Sequence, residues 1–516
     1  MTNSSSAHDT DVLIIGAGPT GLVLALWLAH FGVRVRIVDK MADAGTTSRA
    51  LAVQARTLEF YSQIGLADTV VERGRKTIAA NLWVAGKRAA HAVLGEMGVG
   101  LSPFPFALIF PQDEHERLLI ERLGEAGVQV ERRTELVSFE QIAGGVIAQL
   151  QRADAEQETC AAAYITGCDG AHSTVREGLK IGFPGGVYEH LFYVADVEAG
   201  GATMNGELHI ALDETDFLIV FPLKGDGRAR LIGTVRRQAE HLREDLSWND
   251  VNRRVMQWIS IDVKRVNWFS TYRVHHRVAA HFRQGSAFLL GDAAHIHSPV
   301  GGQGMNTGIG DAVNLAWKLA AVLHGRAGVS LLDSYEQERI AFAQRLVATT
   351  DQAFTAVTSS GAIARFARLH IVPLLLAPIY SFEPARRLMF RTVSQTAVNY
   401  RESSLSEGHA GKVHGGDRLP WVKSEANHVD NFACLTSLDW QVHVYGDAAP
   451  EIQSVCQDLK LTLHVFPWGP GVARTGLRRN AVYLVRPDGY VALADPEASA
   501  HTLSSYLSAR ELSSLQ

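Results

Sequence analysis

The chain has 516 residues, of which 47% are hydrophobic and 20% charged, and its formal net charge is −5. That length predicts about three domains and ample core, and the balance excludes a disordered chain, a small disulfide scaffold and a polybasic binder of nucleic acid or membrane surfaces. Cys160, Cys168, Cys434 and Cys456 form no CxxC pair and have no metal-ligand spacing, so they read as thiols of a reducing compartment.

The first ten residues, MTNSSSAHDT, lack the basic and apolar regions of a signal peptide, and the chain is expected to be cytoplasmic. An apolar strand, Val12–Ile15, then stops at Gly16, Gly18 and Gly21; a helical pattern runs to Gly32, and a second apolar run ends in Asp39. The glycines differ in what they permit. Gly16 allows the tight turn, Gly18 lets backbone approach a pyrophosphate, and Gly21 lets the helix pack close to the sheet. Phosphates rest on the unpaired N–H groups at the positive helix end. A carboxylate at Asp39 can accept both ribose hydroxyls. Strand, glycines, helix, strand and acid in that order predict a dinucleotide site.

Thr46–Gly65 reads as a loop leading into a helix, Thr77–Phe110 as strands, and Gln112–Gly127 as an amphipathic helix with Leu118, Leu119 and Leu123 inward. Val128–Gln151 reads as strand, turn and strand, and Ala162–Gly167 as a short strand entering Cys168-Asp169-Gly170 and closing at Arg176. From Gly182 to His281 the pattern is β-like (Phe192–Glu198, Glu207–Leu212, Phe217–Leu223, Ala229–Val235), with one helical insert near Trp248–Ile259. Nucleotide-domain character returns at Ser286–Leu290, then Gly291-Asp292, Pro299 and the cluster Gly301, Gly302, Gly304, Gly308, Gly310 before a helix over Met305–Leu323. Glycines packed just before a helix suit close backbone approach to a flat ligand. His295 and His297 form an HxH without a supporting third ligand, so no metal is expected. Ser334–Arg401 reads as largely helical, with Ile371–Ile379 (IVPLLLAPI) as core or a pocket cover. Gly408–Gly416 is read as a domain boundary, and the rest as a compact α/β unit.

These three segments resemble the GxGxxG, DG and GD motifs of the single-component FAD-dependent aromatic hydroxylases, the group A flavoprotein monooxygenases. SRA…RTLE at Ser48–Glu59 and the PQ…ER helix at Pro111–Arg117 are similar too, and RPDGYVA at Arg486–Ala492 resembles the thioredoxin-like tail of the phenol hydroxylase and polyketide hydroxylase branch. The resemblance implies an α/β fold with a Rossmann-like, GR2-type FAD-binding domain (1–76, 107–181 and 282–345). It adds an inserted, mostly antiparallel β-sheet substrate domain (77–106 and 182–281), a helical segment (346–407) and a thioredoxin-like C-terminal domain (408–516).

It also implies where FAD is held. Gly16, Gly18, Pro19, Thr20 and Gly21 take the ADP half, with Asp39 and Lys40 on the adenosine side and Arg49 at the diphosphate or adenosine. Gln112 and Asp292 take the ribityl chain, and Asp169 with Arg176 serves FAD positioning and nicotinamide cofactor use. Pro299, Gly302, Gly304, Met305 and Asn306 run beside the isoalloxazine ring. NAD(P)H is the implied co-substrate, and no second GxGxxG gives it a domain of its own. The implied reaction hydroxylates a phenolic or polycyclic aromatic substrate with O2 through a flavin C4a-hydroperoxide, in a monomer or homodimer with no nucleic-acid or membrane partner. The substrate-activating base is not legible, and Tyr193, His209, Tyr272 and His275 read foremost as packing or surface residues. The alternatives are a halogenase or reductase of the same fold, or a catalytically silent FAD-binding protein; the WxWxIP segment typical of halogenases is missing.

Overall fold

In the computed structural model, which describes residues 8–45, 50–95, 97–213, 217–235, 246–251, 253–298, 302–358, 382–423 and 430–512, the first apolar run forms β1 (Thr10–Ile15), an inner strand of an eight-stranded sheet. Val12, Leu13 and Ile14 have no exposed surface, as expected of a strand covered on both faces. The helix α1 (Pro19–His30) is apolar all round because it is enclosed: Leu22 to Leu28 are buried between the sheet, the helix Gln112–Glu125 and a later helix, α2 (Gly304–Leu323). A parallel strand, β2 (Val35–Asp39), lies on one side of β1.

On the other side lies β3 (Gln157–Gly167), longer than the short strand the sequence suggests. Its first half pairs antiparallel with Gly145–Gln151, and its last three residues pair parallel with β4 (Ala287–Leu289). The helix Gln112–Glu125 buries Leu118, Leu119 and Leu123, as its period predicts.

A second eight-stranded sheet runs in the order His295–Ile296, Asp262–Val278, Gly185–Gly200, Arg228–Thr234, Phe217–Pro222, Leu208–Leu212, Ala79–Val84, Lys87–Val93. Its neighbours are antiparallel except Leu208–Leu212 with Ala79–Val84. The sequence reading overlooks Asp262–Val278 because most of its side chains are polar and half-exposed, leaving little apolar signal. The helix read at Trp248–Ile259 is a short 3-10 turn (Trp248–Asp250) and a separate helix (Arg254–Trp258).

Beyond α2, the helix α3 (Asp333–Thr358) and the helix Glu383–Val393 account for the predicted helical stretch, but residues 394–401 are turns ending in a bridge from Asn399 to Asp417. Ile371–Ile379 lies outside the described residues. The glycine-rich Gly408–Gly416 is occupied by a hairpin (Glu407–Ala410 with Val413–His414) that starts a six-stranded mixed sheet. Val442, Val444, Leu484 and Leu503 of this unit share a core with Trp317 of α2. Beside that core lies a buried ionic junction. Lys318 Nζ is 2.9 Å from Glu338 Oε2, Arg486 Nη1 is 2.7 Å from Glu338 Oε1, and Arg486 Nη2 is 2.6 Å from Asp488 Oδ2. Among the described residues no helix is long and apolar enough to cross a membrane.

Candidate functional site

The three motif segments leave the first sheet side by side. Ile15 at the end of β1 is in register with Gly167 of β3, and Gly167 with Leu289 of β4, all parallel. The next residues are Gly16, Cys168-Asp169 and Leu290-Gly291-Asp292, so stretches more than a hundred residues apart in sequence meet at one carboxyl edge. Ligands of open α/β sheets bind at that edge.

Local geometry explains the residue choices. Gly16 has φ +101° and donates its N–H to Val38 O at 2.8 Å, and a Cβ there would collide with the Cys168 carbonyl. A Cβ on Gly21 would strike the Gly16 carbonyl oxygen. Gly18 differs: a Cβ there meets no protein atom within 4 Å. It is the N-cap of α1, has no side-chain cap and is followed by Pro19 and Thr20, with no acid in the first turn. The positive helix end therefore faces open space with its donors uncommitted to any side chain. Asp39 sits at the end of β2, its carboxylate accepting from Ala17 N and Met41 N, both at 2.7 Å. Four lone-pair sites on two oxygens leave further acceptor capacity. Lys40 beside it is exposed.

Asp169 is mostly buried, and burial holds its pKa above the ordinary carboxylate value. Its Oδ2 accepts from Val175 N at 3.3 Å, while Oδ1 is buried without a partner. Arg176 fastens the second segment to the third, donating to Ala171 O at 2.9 Å and to Ala293 O at 3.0 Å. Asp292 is exposed at the strand end. Gln112 donates its backbone N–H to Ala50 O at 3.1 Å and its side-chain amide to Glu116 at 2.8 Å. Arg49 and Pro299 lie outside the described residues.

The loop before α2 is held by a layer that sequence reasoning missed. Asn306 Oδ1 accepts from Gln54 N at 2.9 Å and Thr57 Oγ1 at 2.8 Å, and its amide donates to Ala52 O and Gly302 O, both at 2.8 Å. All four side-chain bonds are thus spent inside the protein. Gly302 has φ +63°, and a Cβ there would lie 2.8 Å from Ala52 Cβ. Gly304 has looser surroundings, with His297 at 3.9 Å, and Met305 packs partly buried against the core. Asp311 on α2 accepts from Gly291 N at 2.9 Å, His295 Nε2 at 2.7 Å and Arg339 Nε at 2.6 Å. Burial pushes Asp311 up, but Arg339 and His295 outweigh it and keep the carboxylate low. Arg339 also donates to Thr307 O at 3.0 Å. The one available signal was Asp311, the single acidic residue of α2.

The second sheet enters the site where His295–Ile296 pairs with Arg277–Val278. Of its candidate groups, His209 is committed, accepting from Trp83 Nε1 at 3.1 Å and bonding Asn205 Oδ1 at 2.9 Å. Tyr193 is stacked on Phe269 at 6.1 Å, and Tyr272 packs on Phe192 at 5.9 Å. His275, half-exposed, is lowered by burial and then by Arg277.

The donor set suits a dinucleotide. Asp169 Oδ1, His297 Nε2 and Ser298 Oγ are buried orphans around the strand ends, and burial lowers His297 to about 4. Orphaned polar atoms beside an uncapped helix end and a glycine turn fit a bound group that completes them. A parallel sheet with a glycine turn, a bare helix end and two further aspartate loops on one edge defines a flavin-dinucleotide oxidoreductase.

Comparison with known proteins agrees. Residues 9–350 match the family described as the FAD binding domain. The chain is 32% identical to the 6-methylpretetramide 4-monooxygenase of Streptomyces rimosus over 98% of this chain and 94% of that one. It is 32% identical to the pentachlorophenol 4-monooxygenase of Sphingobium chlorophenolicum over 80% and 76%. Among solved structures, the anhydrotetracycline hydroxylase from Streptomyces rimosus matches with a TM-score of 0.75 and 27% identity, over 96% of this chain and 98% of that one. The chain belongs to the FAD binding domain family, among the FAD-dependent aromatic monooxygenases, and it uses FAD with NAD(P)H as co-substrate.

Proposed function

We propose that this protein inserts one oxygen atom from O2 into a phenolic or polycyclic aromatic ring, with NAD(P)H as reductant. The observation that carries the reading is the register of Ile15, Gly167 and Leu289, which lines up the three cofactor segments at one edge. Relatives named for pretetramide, pentachlorophenol and anhydrotetracycline support an aromatic substrate. Bound FAD supplies hydride acceptance and oxygen activation, chemistry that side chains lack.

The protein's part is to hold, orient and keep dry. Gly16, Gly18, Pro19, Thr20 and Gly21 would cradle the diphosphate against the α1 end, with Asp39 and Lys40 on the adenosine side and Arg49 at the diphosphate or adenosine. Gln112 and Asp292 hold the ribityl chain. Asp169, mostly buried, hydrogen-bonds at the cofactor with the oxygen it leaves unpartnered, and Arg176 fixes the spacing between the second and third segments. Pro299, Gly302, Gly304, Met305 and Asn306 border the flat ring system. Asn306 contributes its backbone, since its side chain is committed elsewhere. Backbone N–H groups at the start of α2 would stabilise negative charge on a bound ring.

The substrate lies against the second sheet, and water is excluded there because an activated oxygen species in water is wasted. His209 is a poor base, with both ring nitrogens engaged. The domain limits are those of the sequence reading: FAD-binding over 1–76, 107–181 and 282–345, substrate-binding over 77–106 and 182–281, a helical segment over 346–407, and a thioredoxin-like unit over 408–516. The last has a structural role, since Cys434 and Cys456 form no CxxC pair that could serve as a redox dithiol. The protein acts in the cytoplasm as a monomer or homodimer.

Anaerobic stopped-flow measurement of flavin reduction tests the proposal, using NADH and NADPH against phenols, resorcinols and polyketide quinones. One compound class is expected to accelerate reduction and, in air, to yield a product one oxygen atom heavier. Equal reduction rates with every compound and no oxygenated product contradict it.

A further inference from the structure

A cleft of about 1030 Å³ opens between the helix Glu383–Val393, the turns that follow it and the C-terminal sheet unit. That volume is at the upper end of small-molecule sites, about 300–1,000 Å³. Its charge is one-sided. Seven lining side chains are Arg or Lys, and Asp417 is the single carboxylate. Three of the seven are neutralised: Arg401 by Asp417 at 2.7 Å, Arg387 by Glu383 at 3.4 Å, and Arg418 by Glu59. The other four, Arg391, Lys412, Lys423 and Arg474, have no ion pair among the described residues.

Four uncommitted cations in one concavity on a chain whose net charge is −5 are a local excess that overall composition does not explain. Clefts lined by one sign of charge focus the field and attract the opposite sign. The four come from separate parts of the chain: Arg391 from the helix, Lys412 from the hairpin, Lys423 from an isolated bridge to Asp430, and Arg474 from the helix Pro470–Arg474. Spread over several walls, they suit several anionic groups on one molecule better than a lone carboxylate. Trp421 lines the same cleft, and its indole N–H is spent on Asp430 at 2.8 Å, so what it offers a ligand is aromatic surface. Thr396 lies on the cleft wall. Its neighbour Gln395 donates to Gln303 Oε1 at 2.7 Å and Thr307 Oγ1 at 3.0 Å, so one layer of side chains separates the cleft from the start of α2.

We propose that this cleft is a second binding site, for a nucleotide carrying two or more phosphate groups, with Arg391, Lys412, Lys423 and Arg474 on the phosphates and Trp421 against the base. Arg–phosphate hydrogen bonds are charge-assisted, and stacking on an aromatic face adds affinity without demanding one base. The inference rests on the cleft alone and not on the hydroxylation reading.

Calorimetric titration of the FAD-loaded enzyme tests it, with 2′,5′-ADP, NADP⁺ and pyrophosphate as probes at low and high salt; bound FAD keeps the probes out of the α1 cradle. Wild type is expected to bind 2′,5′-ADP with an affinity that falls as salt rises. The double variant Lys412→Glu/Arg474→Glu, altered at two exposed positions, is expected to bind at least about tenfold more weakly with its flavin spectrum and melting temperature unchanged. Lys423→Glu is the second variant, expected to weaken binding in the same direction. If NADP⁺ loses affinity in parallel, the occupant is the nicotinamide co-substrate; if only 2′,5′-ADP and pyrophosphate do, it is another phosphorylated metabolite. The proposal is overturned if wild type binds none of the three probes, or if the charge reversals leave 2′,5′-ADP affinity unchanged.

Discussion

At the strand ends, Asp169 Oδ1, His297 Nε2 and Ser298 Oγ are buried without partners among the described residues. At the junction between α2, α3 and the C-terminal sheet, the buried side chains of Lys318, Glu338, Arg486 and Asp488 are all paired. There Glu338 also accepts from Asn314 at 2.6 Å and Ser403 at 2.8 Å, and Asp488 from Trp317 Nε1 at 3.1 Å. An unpaired buried polar atom costs about 1–3 kcal/mol, and a ligand bound at the strand ends would offset that cost for these three. The first region is built to receive a ligand and the second to satisfy itself. Substitutions in the first should change binding and leave stability, while those in the second should do the reverse.

The largest effect is expected at the junction. Arg486→Met takes the bidentate partner from Glu338 and Asp488 and leaves Lys318 alone against Glu338. Removing one partner of a buried pair costs about 3–5 kcal/mol. Urea unfolding should show that loss, while the folded fraction keeps its FAD. A midpoint equal to wild type would mean that the junction contributes no cohesion.

Acid probes the same region more gently. Burial pushes Glu338 above its ordinary 4.5, but Arg486 and Lys318 outweigh it and hold it far below. Glu59 is likewise held low, burial being outweighed by Arg418. The unfolded chain takes up protons at ordinary carboxylate values while the folded chain refuses them. The stabilisation is therefore complete above that range and is lost as pH falls through and below it. Unfolding midpoints should drop steeply below about pH 4.5, and a flat profile would contradict the pairing. The smallest effect is expected from Arg34→Ala, which removes an exposed ion pair with Asp11 at 2.6 Å. Surface pairs contribute about 0–1 kcal/mol, so neither stability nor FAD content should move beyond that.

The contrast also explains what was legible. Gly16, Gly18, Gly21 and Asp39 could be read from the chain because their demands are local: a turn, a bare helix end, a strand terminus. The junction could not, because Glu338 and Arg486 are 148 residues apart and Glu59 and Arg418 are 359 apart. Arg486 and Asp488 did stand out within RPDGYVA, but as a resemblance with no physical role attached. The strand Asp262–Val278 went unread because its alternation is polar and half-exposed, and the helical reading ran past Val393 where no glycine or proline marks the stop.

The central claim is that three strand ends form one dinucleotide cradle with room at Gly18. The direct measurement is FAD affinity of the Gly18→Val variant beside its melting temperature as apoprotein. A side chain at Gly18 meets no protein atom within 4 Å, and its φ of −77° is open to any residue. The expected result is a folded, wild-type-stable apoprotein that no longer retains FAD. A variant that stays yellow with undiminished affinity would show that the cofactor lies elsewhere.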